Sequence, residues 1–305
     1  MNNIKSFFLF FFFIVLSVIG LRAENNVISG YGQMKECLMQ CHLLKGVSER
    51  PYSIYLPASY TVEVSRRYPV LYLLHGGGGA HTDWDRFNRL SSIADSLSAC
   101  GAMDEMIIVC AEGNQNNMMY FNADEETVGA PDWHYEDYFF QELIPYIEKT
   151  YRVRSGRDNR AIGGFSMGGG GAVVYGVHHP EMFVMVYDIS GYLRRQPLEF
   201  LKGDPSAEWR QQVIEKNNPV RHVLSGTDDE VKAWRGVDWR VAVGDQDFTL
   251  EANMDLVAAF RRHGIPYSFY VNIGWHDHRW VSAVLPDMLR RASANFKRSS
   301  TASQP

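Results

Sequence analysis

The segment Gly163–Gly170, which reads Gly-Gly-Phe-Ser-Met-Gly-Gly-Gly, constrains the fold more than any other stretch of the chain. It contains the pattern Gly-x-Ser-x-Gly, spelled by Gly164, Ser166 and Gly168. A short apolar run precedes it and a run of small residues follows it. This order predicts a sharp turn from a buried strand into a helix, with the serine hydroxyl lifted into a cleft. The alternative is a glycine-rich turn with an inert serine, and the rest of the chain must distinguish the two.

Composition describes a globular protein with a large core. Of 305 residues, 46% are hydrophobic and 21% charged, and the formal net charge is −5. These fractions are those of ordinary folded domains. Basic residues form no block longer than short pairs such as Arg194-Arg195, so nucleic acid is not expected as a partner.

The N-terminus predicts export. Lys5 is followed by an almost wholly apolar run, Phe7–Ile19, and then by a small residue, Ala23, at a suitable cleavage point. We read residues 1–23 as a signal peptide and expect a secreted or periplasmic protein; an uncleaved anchor is the alternative. No second long apolar run follows, so no stable membrane insertion is expected after cleavage. Residues 24–298 are predicted to form one catalytic domain, with an insertion over the active site at 191–236 and a disordered tail at 299–305.

The four cysteines give no framework of disulfides or metal ligands. Cys37 and Cys41 lie in a predicted strand, where four residues span about 13 Å, too far to bridge. Cys100 and Cys110 could pair, but nothing in the sequence requires it. No zinc-ligand spacing is present, so the cysteines predict no metal site.

Strand-like and helix-like segments alternate along the chain. The segment 112–133 has no clear period and predicts a long, functional loop. The alternation predicts an α/β fold with a mostly parallel central sheet and helices on both faces. The predicted strands are 36–43, 51–57, 68–75, 106–110, 182–189, 239–243 and 266–271, and the predicted helices are 84–98, 134–150, 196–202, 207–216, 250–263 and 279–295.

Residues with the chemistry of a nucleophilic triad follow separate strands of this predicted sheet. A serine hydroxyl needs an adjacent base, which is usually a histidine oriented by a carboxylate. Asp247 follows the strand at 239–243 and His276 follows the strand at 266–271, so the order is Ser, Asp, His. Carboxyl ends of parallel strands meet at one edge of a sheet, where chemistry collects. Two rivals stay open: Asp245 for Asp247, and His278 for His276.

Acyl transfer also needs donors for the developing oxyanion. The backbone N–H of Met167, directly after the serine, is one candidate. The second is Gly77, within the run His75–Gly79 that follows an early strand. A phosphate-binding loop is the alternative for this run, but no Gly-Lys-Ser/Thr follows it.

Together these segments resemble the esterase D and feruloyl esterase-like branch of the α/β-hydrolases, the carbohydrate esterase family one type. The resemblance covers roughly residues 50 to 295. It rests on Leu73–Gly78 with Asp83-Trp84, Glu142–Glu148, Arg160–Gly169, Gly244–Phe248, and His276-Asp277 with Trp280. It implies an α/β-hydrolase fold and hydrolysis of carboxylic esters without a cofactor. It also implies an acylated carbohydrate, often acetylated or feruloylated plant polysaccharide, as substrate.

The predicted function is thus a secreted serine carboxylesterase. Relatives of this branch that act on siderophore esters, S-formylglutathione or mycolyl esters keep two alternatives open, a siderophore esterase and an acyltransferase to a sugar. A non-catalytic carbohydrate-binding protein is a more remote alternative. Aromatic residues near the motifs are candidate substrate contacts, with simple packing as the alternative for each: Trp84, Tyr120, Phe121, Trp133 and Trp280.

Overall fold

The computed structural model describes residues 30–113, 120–123, 132–193 and 202–302, with side chains as far as residue 297. The predicted signal peptide at 1–23 lies outside the described residues. Within the described ranges, no helix is both long enough and apolar enough to cross a bilayer.

An eight-stranded sheet forms the centre of the molecule, in the spatial order β1-β2-β4-β3-β7-β8-β9-β10. Strand β2 pairs antiparallel with both β1 and β4, and all remaining neighbouring pairs of this sheet are parallel. The small strands β5 and β6 pair apart from it. The strands are β1 Gln33–Gln40, β2 Glu49–Leu56, β3 Val70–Leu74, β4 Ile107–Ala111, β5 Asn122–Ala123, β6 Trp133–His134, β7 Arg160–Phe165, β8 Met185–Ile189, β9 Asp238–Gly244 and β10 Tyr267–Asn272.

Helices cover both faces of this sheet and enclose two apolar cores, one on each face. The central strands β3, β4 and β8 are buried along their whole length. The sequences of β3 and β4 are continuously apolar, as expected of strands buried on both faces, while β8 carries one acidic residue, Asp188. The α-helices are α1 Asp83–Arg86, α2 Leu90–Ala99, α3 Tyr135–Tyr138, α4 Ile144–Thr150, α5 Met167–His178, α6 Ala207–Lys216, α7 Pro219–Leu224, α8 Asp228–Trp234, α9 Leu250–Arg262 and α10 His278–Ala302.

The chain direction through the sheet places a crevice beside β7. From β3 the chain passes to β4 on one side, and it later returns to β7 on the other side of β3. Such a reversal of strand order opens a crevice at the carboxyl ends of the strands, which is where α/β proteins bind ligands. The loop after β3 and the turn after β7 both lie at this edge.

The predicted α/β architecture is confirmed, and the elements differ in detail. The predicted helix at 84–98 is two helices, because Arg89 adopts a left-handed backbone with φ 55°. The break is fixed by tertiary contacts: the buried Asn88 accepts a hydrogen bond from Ser282 Oγ at 3.2 Å. The predicted helix at 134–150 is present, with a π-helical turn at Phe139–Leu143 between α3 and α4.

The C-terminal end of the described chain differs from its predicted structure. Helix α10 continues to Ala302, so residues 299–302 are helical although the segment was predicted to be disordered. Adding a residue to an existing helix fixes only that residue's backbone dihedrals and gains one hydrogen bond. Polar residues can therefore continue the helix.

All four cysteines are free thiols, and Cys110 is fully buried.

The segment at 191–236, predicted as an insertion over the active site, is described from 202 onward and at 191–193. Its helices α6, α7 and α8 follow one another over 207–234. Trp234 donates its Nε1–H to the carbonyl of Val177, near the C-terminal end of α5, and the His222 ring lies 5.4 Å from that of His178. The predicted helix at 196–202 lies almost wholly outside the described residues.

Candidate active site

The turn between β7 and α5 carries Ser166 in a strained backbone conformation. Its φ is 56° and its ψ is −116°, which non-glycine residues rarely adopt. Three backbone hydrogen bonds hold it: Ser166 N–H to Ile189 O at 2.9 Å, and Gly170 N–H and Tyr192 N–H to Ser166 O at 2.9 and 2.8 Å. The surrounding fold therefore over-determines this conformation and fixes the direction of the hydroxyl.

The flanking glycines are required by close backbone approach. A Cβ on Gly164 would lie 2.1 Å from the carbonyl oxygen of Gly168, and one on Gly168 would lie 2.2 Å from that of Leu74. Both distances are far below any van der Waals contact. The Gly-x-Ser-x-Gly pattern is thus the steric condition for packing the start of α5 against the ends of β3 and β7.

Ser166, His276 and Asp247 form one chain of hydrogen bonds. His276 Nε2 lies 2.7 Å from Ser166 Oγ, and His276 Nδ1 lies 2.9 and 3.0 Å from the two carboxylate oxygens of Asp247. A carboxylate only accepts, so Nδ1 carries a proton and Nε2 faces the serine. The three residues follow β7, β10 and β9, and the parallel sheet brings them to one edge.

Asp247 is enclosed in a way that keeps it ionised. Its side chain is completely buried, and its Oδ1 accepts hydrogen bonds from the Thr249 N–H and the Thr249 hydroxyl, both at 2.8 Å. Burial acts to raise the pKa of Asp247, but the hydrogen bonds from His276 and Thr249 outweigh it and hold the pKa below its ordinary value. A negative charge is therefore present beside His276 at neutral pH.

The rival residues have other partners. Asp245 is exposed and accepts a hydrogen bond from the Gly274 N–H at 3.1 Å, which ties the turns after β9 and β10 together. His278 lies 3.3 Å from Asn88 Oδ1 through its Nδ1. The structure thus brings Asp247 and His276 to Ser166, and it does not bring Asp245 or His278 there.

The two candidate oxyanion donors lie side by side. Met167 is the first residue of α5, where a backbone N–H has no carbonyl partner within the helix. A Cβ built on Gly77 would lie 3.9 Å from Met167 Cβ. The loop of Gly77 is held by His75, whose Nδ1–H donates to the Gly76 carbonyl at 2.8 Å, and by the Tyr120 hydroxyl, which donates to the His75 carbonyl at 3.0 Å.

The aromatic residues predicted as substrate contacts are packed inside the protein. Each has at most 4% of its surface exposed, so this arrangement does not support a direct substrate contact. Tyr120 instead fixes the loop of Gly77, and the Trp280 ring stacks on Tyr270. The buried set comprises Trp84, Tyr120, Phe121, Trp133 and Trp280.

Exposed aromatic residues beside the triad were not singled out from the sequence. Phe248 is 62% exposed and Trp275 is 54% exposed. Phe248 directly follows Asp247 and Trp275 directly precedes His276. That adjacency was the available signal, although a sequence does not show which side chains are exposed.

Within the described residues, no cluster of three or more histidine, cysteine or acidic side chains could hold a metal ion.

A second carboxyl group lies buried close to the triad. Asp188, on β8, is completely buried, and a Cβ on Gly169 or Gly191 would lie 2.5 or 2.4 Å from its Oδ1. Burial raises the pKa of Asp188 well above its ordinary value; the Gly191 backbone N–H opposes this shift and the charge of Asp247 adds to it. Asp188 therefore holds its proton more strongly than a carboxyl group in water, and it lies beneath the turn of Ser166.

This buried acid predicts a pH-dependent effect of Asp188→Asn. Above pH 4 the unfolded chain loses the Asp188 proton while the folded protein keeps it, so native stability falls with rising pH until the folded pKa is reached. The variant cannot ionise. The free energy of unfolding of the variant minus that of the native protein should therefore rise from pH 4 to pH 7. The rise is at most about 1.4 kcal/mol per pH unit. Urea unfolding at several pH values measures it; the difference at pH 4 reports packing alone, and a difference independent of pH would contradict the prediction.

Comparison with known proteins agrees with this architecture. A sequence model of the family described as "Putative esterase" matches residues 47–292. The chain is 35% identical over 134 residues to an endo-1,4-beta-xylanase/feruloyl esterase of Xylanibacter ruminicola, covering 43% of this chain and 18% of that one. It is 34% identical over 260 residues to an esterase of Mycobacterium tuberculosis, covering 78% of this chain and 53% of that one. The chain therefore spans well under two thirds of the length of both relatives.

One solved structure resembles nearly the whole described fold. It is titled as a ferulic acid esterase, superposes with a TM-score of 0.78 and 35% identity, and the match covers 87% of this chain and 99% of that one. The family match covers most of the sequence, and the likeness of structure extends over the same region. The chain therefore belongs to this esterase family, and its fold is that of the α/β-hydrolases.

Proposed function

We propose that this protein is a secreted serine carboxylesterase that hydrolyses acyl esters through a covalent acyl-enzyme. The observation that carries the proposal is the hydrogen-bonded chain from Ser166 Oγ through His276 to Asp247, with distances of 2.7 and 2.9 Å. Membership of the esterase family supports the same reaction class.

In the first half of the reaction, Ser166 Oγ attacks the ester carbonyl carbon while its proton passes to His276 Nε2. Asp247 stays ionised, orients the imidazole and stabilises the imidazolium that forms. The carbonyl oxygen becomes an oxyanion, which the N–H groups of Gly77 and Met167 stabilise at the start of α5. Collapse of this intermediate breaks the bond to the alcohol, and His276 returns the proton to the leaving oxygen.

In the second half, water takes the place of the alcohol. His276 removes a proton from the water as it attacks the acyl-enzyme, and the same donors stabilise the second oxyanion. Breakdown releases the acid and returns the proton to Ser166. The chemistry of these residues needs no metal or organic cofactor.

The substrate class we propose is an acylated plant polysaccharide carrying feruloyl or acetyl groups. Two relatives bear names that include feruloyl or ferulic acid esterase, and one of these names joins it to a xylanase. Export through the predicted signal peptide at 1–23 would bring the protein to such polymers, which do not enter cells. The exposed indole ring of Trp275, directly before His276, is suited to stacking on a phenolic or sugar ring.

The proposal is tested by active-site labelling and a substrate panel. A fluorophosphonate should add one phosphonyl group to the peptide that contains Ser166, and excess methyl ferulate should slow the labelling. The panel compares methyl ferulate, acetylated xylan and a siderophore ester, with and without an added sugar acceptor. We expect release of ferulate or acetate that the acceptor does not change.

Other outcomes overturn defined parts of the proposal. Labelling at another residue, or none, would overturn the assignment of the nucleophile. Transfer of the acyl group to the sugar as the main product would replace hydrolysis by acyl transfer. Turnover of the siderophore ester alone would remove the proposed polysaccharide substrate and keep the triad.

A further inference from the structure

The imidazole of His276 is in contact with two phenylalanine rings. The Phe165 ring is 4.8 Å from it, centroid to centroid, with 33° between the planes, and the Phe248 ring is 4.3 Å away at 46°. Phe165 is the last residue of β7 and is 9% exposed, so its position is fixed by the core. Phe248 contacts the same imidazole and is itself 62% exposed. The histidine side chain is only 18% exposed.

A local turn fixes the place of Phe248. Asp247 Oδ1 accepts hydrogen bonds from both the backbone N–H and the hydroxyl of Thr249. These bonds close a turn around the intervening residue, in the manner of an Asx turn. The same carboxylate that holds His276 through Nδ1 therefore also holds the backbone on which Phe248 stands.

The exposure of Phe248 needs an explanation, because a phenyl ring left in water gains nothing from the hydrophobic effect. Core packing does not account for a side chain that is mostly in solvent. Contact with His276 accounts for the exposed position of the ring, because the ring limits the motion of the imidazole and keeps water from it. Aromatic faces also attract cations, and the imidazole becomes one in the transition state.

We infer that Phe248 is a positioning residue for the catalytic histidine: with Phe165 it clamps the imidazole so that Nε2 stays aligned with Ser166 Oγ. The inference rests on the proposed function, since it requires His276 to be the base. Phe248 would then contribute to catalysis although it touches neither the carbonyl carbon of the ester nor the oxyanion. Misplacing a catalytic group by about 1 Å can cost about 100-fold in rate.

Phe87 provides a matched control. It is also an exposed phenylalanine, at 46%, and its ring lies 4.7 Å from that of His278, which is not in contact with Ser166. Removing this ring changes exposed aromatic surface near the site by a similar amount. It leaves both phenylalanine rings that contact His276 in place.

The experiment measures Phe248→Ala, Phe248→Leu, Phe248→Tyr and Phe87→Ala on methyl acetate and methyl ferulate. Both substrates release methanol, so contact with a large leaving group contributes to neither. We expect Phe248→Ala to lower kcat by about 10- to 100-fold on both esters while KM changes by less than about threefold. The kcat of Phe248→Leu should lie between the kcat of Phe248→Ala and that of the native protein. Phe248→Tyr, which keeps the ring, and Phe87→Ala should stay within about threefold of native.

A spectroscopic readout separates positioning from a general structural effect. The His276 Nδ1 proton, shared with Asp247, should give a far-downfield proton NMR signal in the native protein and in Phe248→Tyr. In Phe248→Ala and Phe248→Leu it should exchange faster with water and broaden. Far-ultraviolet circular dichroism checks the fold, and Phe248→Leu serves if the alanine variant does not fold.

Three results would overturn the inference: an unchanged kcat in Phe248→Ala, an equal loss in Phe87→Ala, or a loss confined to KM on methyl ferulate. The last would make Phe248 a substrate contact instead. Failure of the proposed function would look different, because Ser166→Ala would then retain turnover. An inactive Ser166→Ala together with a fully active Phe248→Ala would reject only the clamp.

Discussion

Ser166→Ala should lower kcat for ester hydrolysis by at least about 10⁴-fold. The hydroxyl supplies the atom that forms the acyl-enzyme, and no other described hydroxyl is hydrogen-bonded to His276 Nε2. Binding and the oxyanion donors would remain, so KM should change much less than kcat. Initial rates with methyl ferulate, measured at enzyme concentrations high enough to detect residual turnover, give the ratio.

The stability of this variant is its control. Alanine meets the same backbone strain at φ 56° as serine does, and it loses a single hydrogen bond to the partly exposed His276. The free energy of unfolding should therefore stay within about 1 kcal/mol of native. A folded variant with more than a tenth of native activity would mean that another group is the nucleophile.

Asp247→Asn should lower kcat by about 10³- to 10⁴-fold while preserving the fold. The two donors of Thr249 both point at Oδ1, so the amide oxygen would take that place and the amide NH₂ would face His276 Nδ1. Nδ1 must then accept, which puts the imidazole proton on Nε2 facing the serine. In that tautomer His276 cannot remove the Ser166 proton. Steady-state kinetics and labelling by a fluorophosphonate should fall together, since both depend on that proton transfer.

Asp245→Asn is the matched control for this substitution. Asp245 lies two residues away, carries the same functional group and bonds to the Gly274 N–H through Oδ1. Its replacement keeps an oxygen able to accept that bond, so kcat should stay within about threefold of native. Equal losses in the two variants would mean that the effect arises from the shape of the turn.

The sequence predicted the parts of the fold that follow from local patterns. The segments of β3, β4 and β8 were predicted as strands, and the family resemblance is confirmed by the match over residues 47–292. The glycines around Ser166 predicted a turn whose crowding the structure explains. Strand order and position were enough to place Ser166, Asp247 and His276 at one sheet edge as candidates.

Other features depend on contacts that a sequence does not display. Arg89 breaks a helical pattern because Asn88 is held by a residue nearly two hundred positions away. Asp245 and Asp247 lie two residues apart after the same strand, and only the folded turn shows which one meets His276. Buried tryptophans were predicted as substrate contacts, while the exposed Phe248 was passed over, because exposure is set by packing across the whole molecule.

Helix α5 begins with a run of four glycines after Met167, residues 168–171, all buried. Each glycine disfavours a helix by about 1 kcal/mol relative to alanine, so this segment has little tendency to become helical on its own. It must wait for β3, β8 and the loop after β8 to provide the surfaces that hold it. In folding, the turn of Ser166 is therefore expected to form late, after the sheet. Under the proposed function, a chain still emerging from a ribosome would carry no competent nucleophile, and hydrolytic capacity would arise only once this domain is folded.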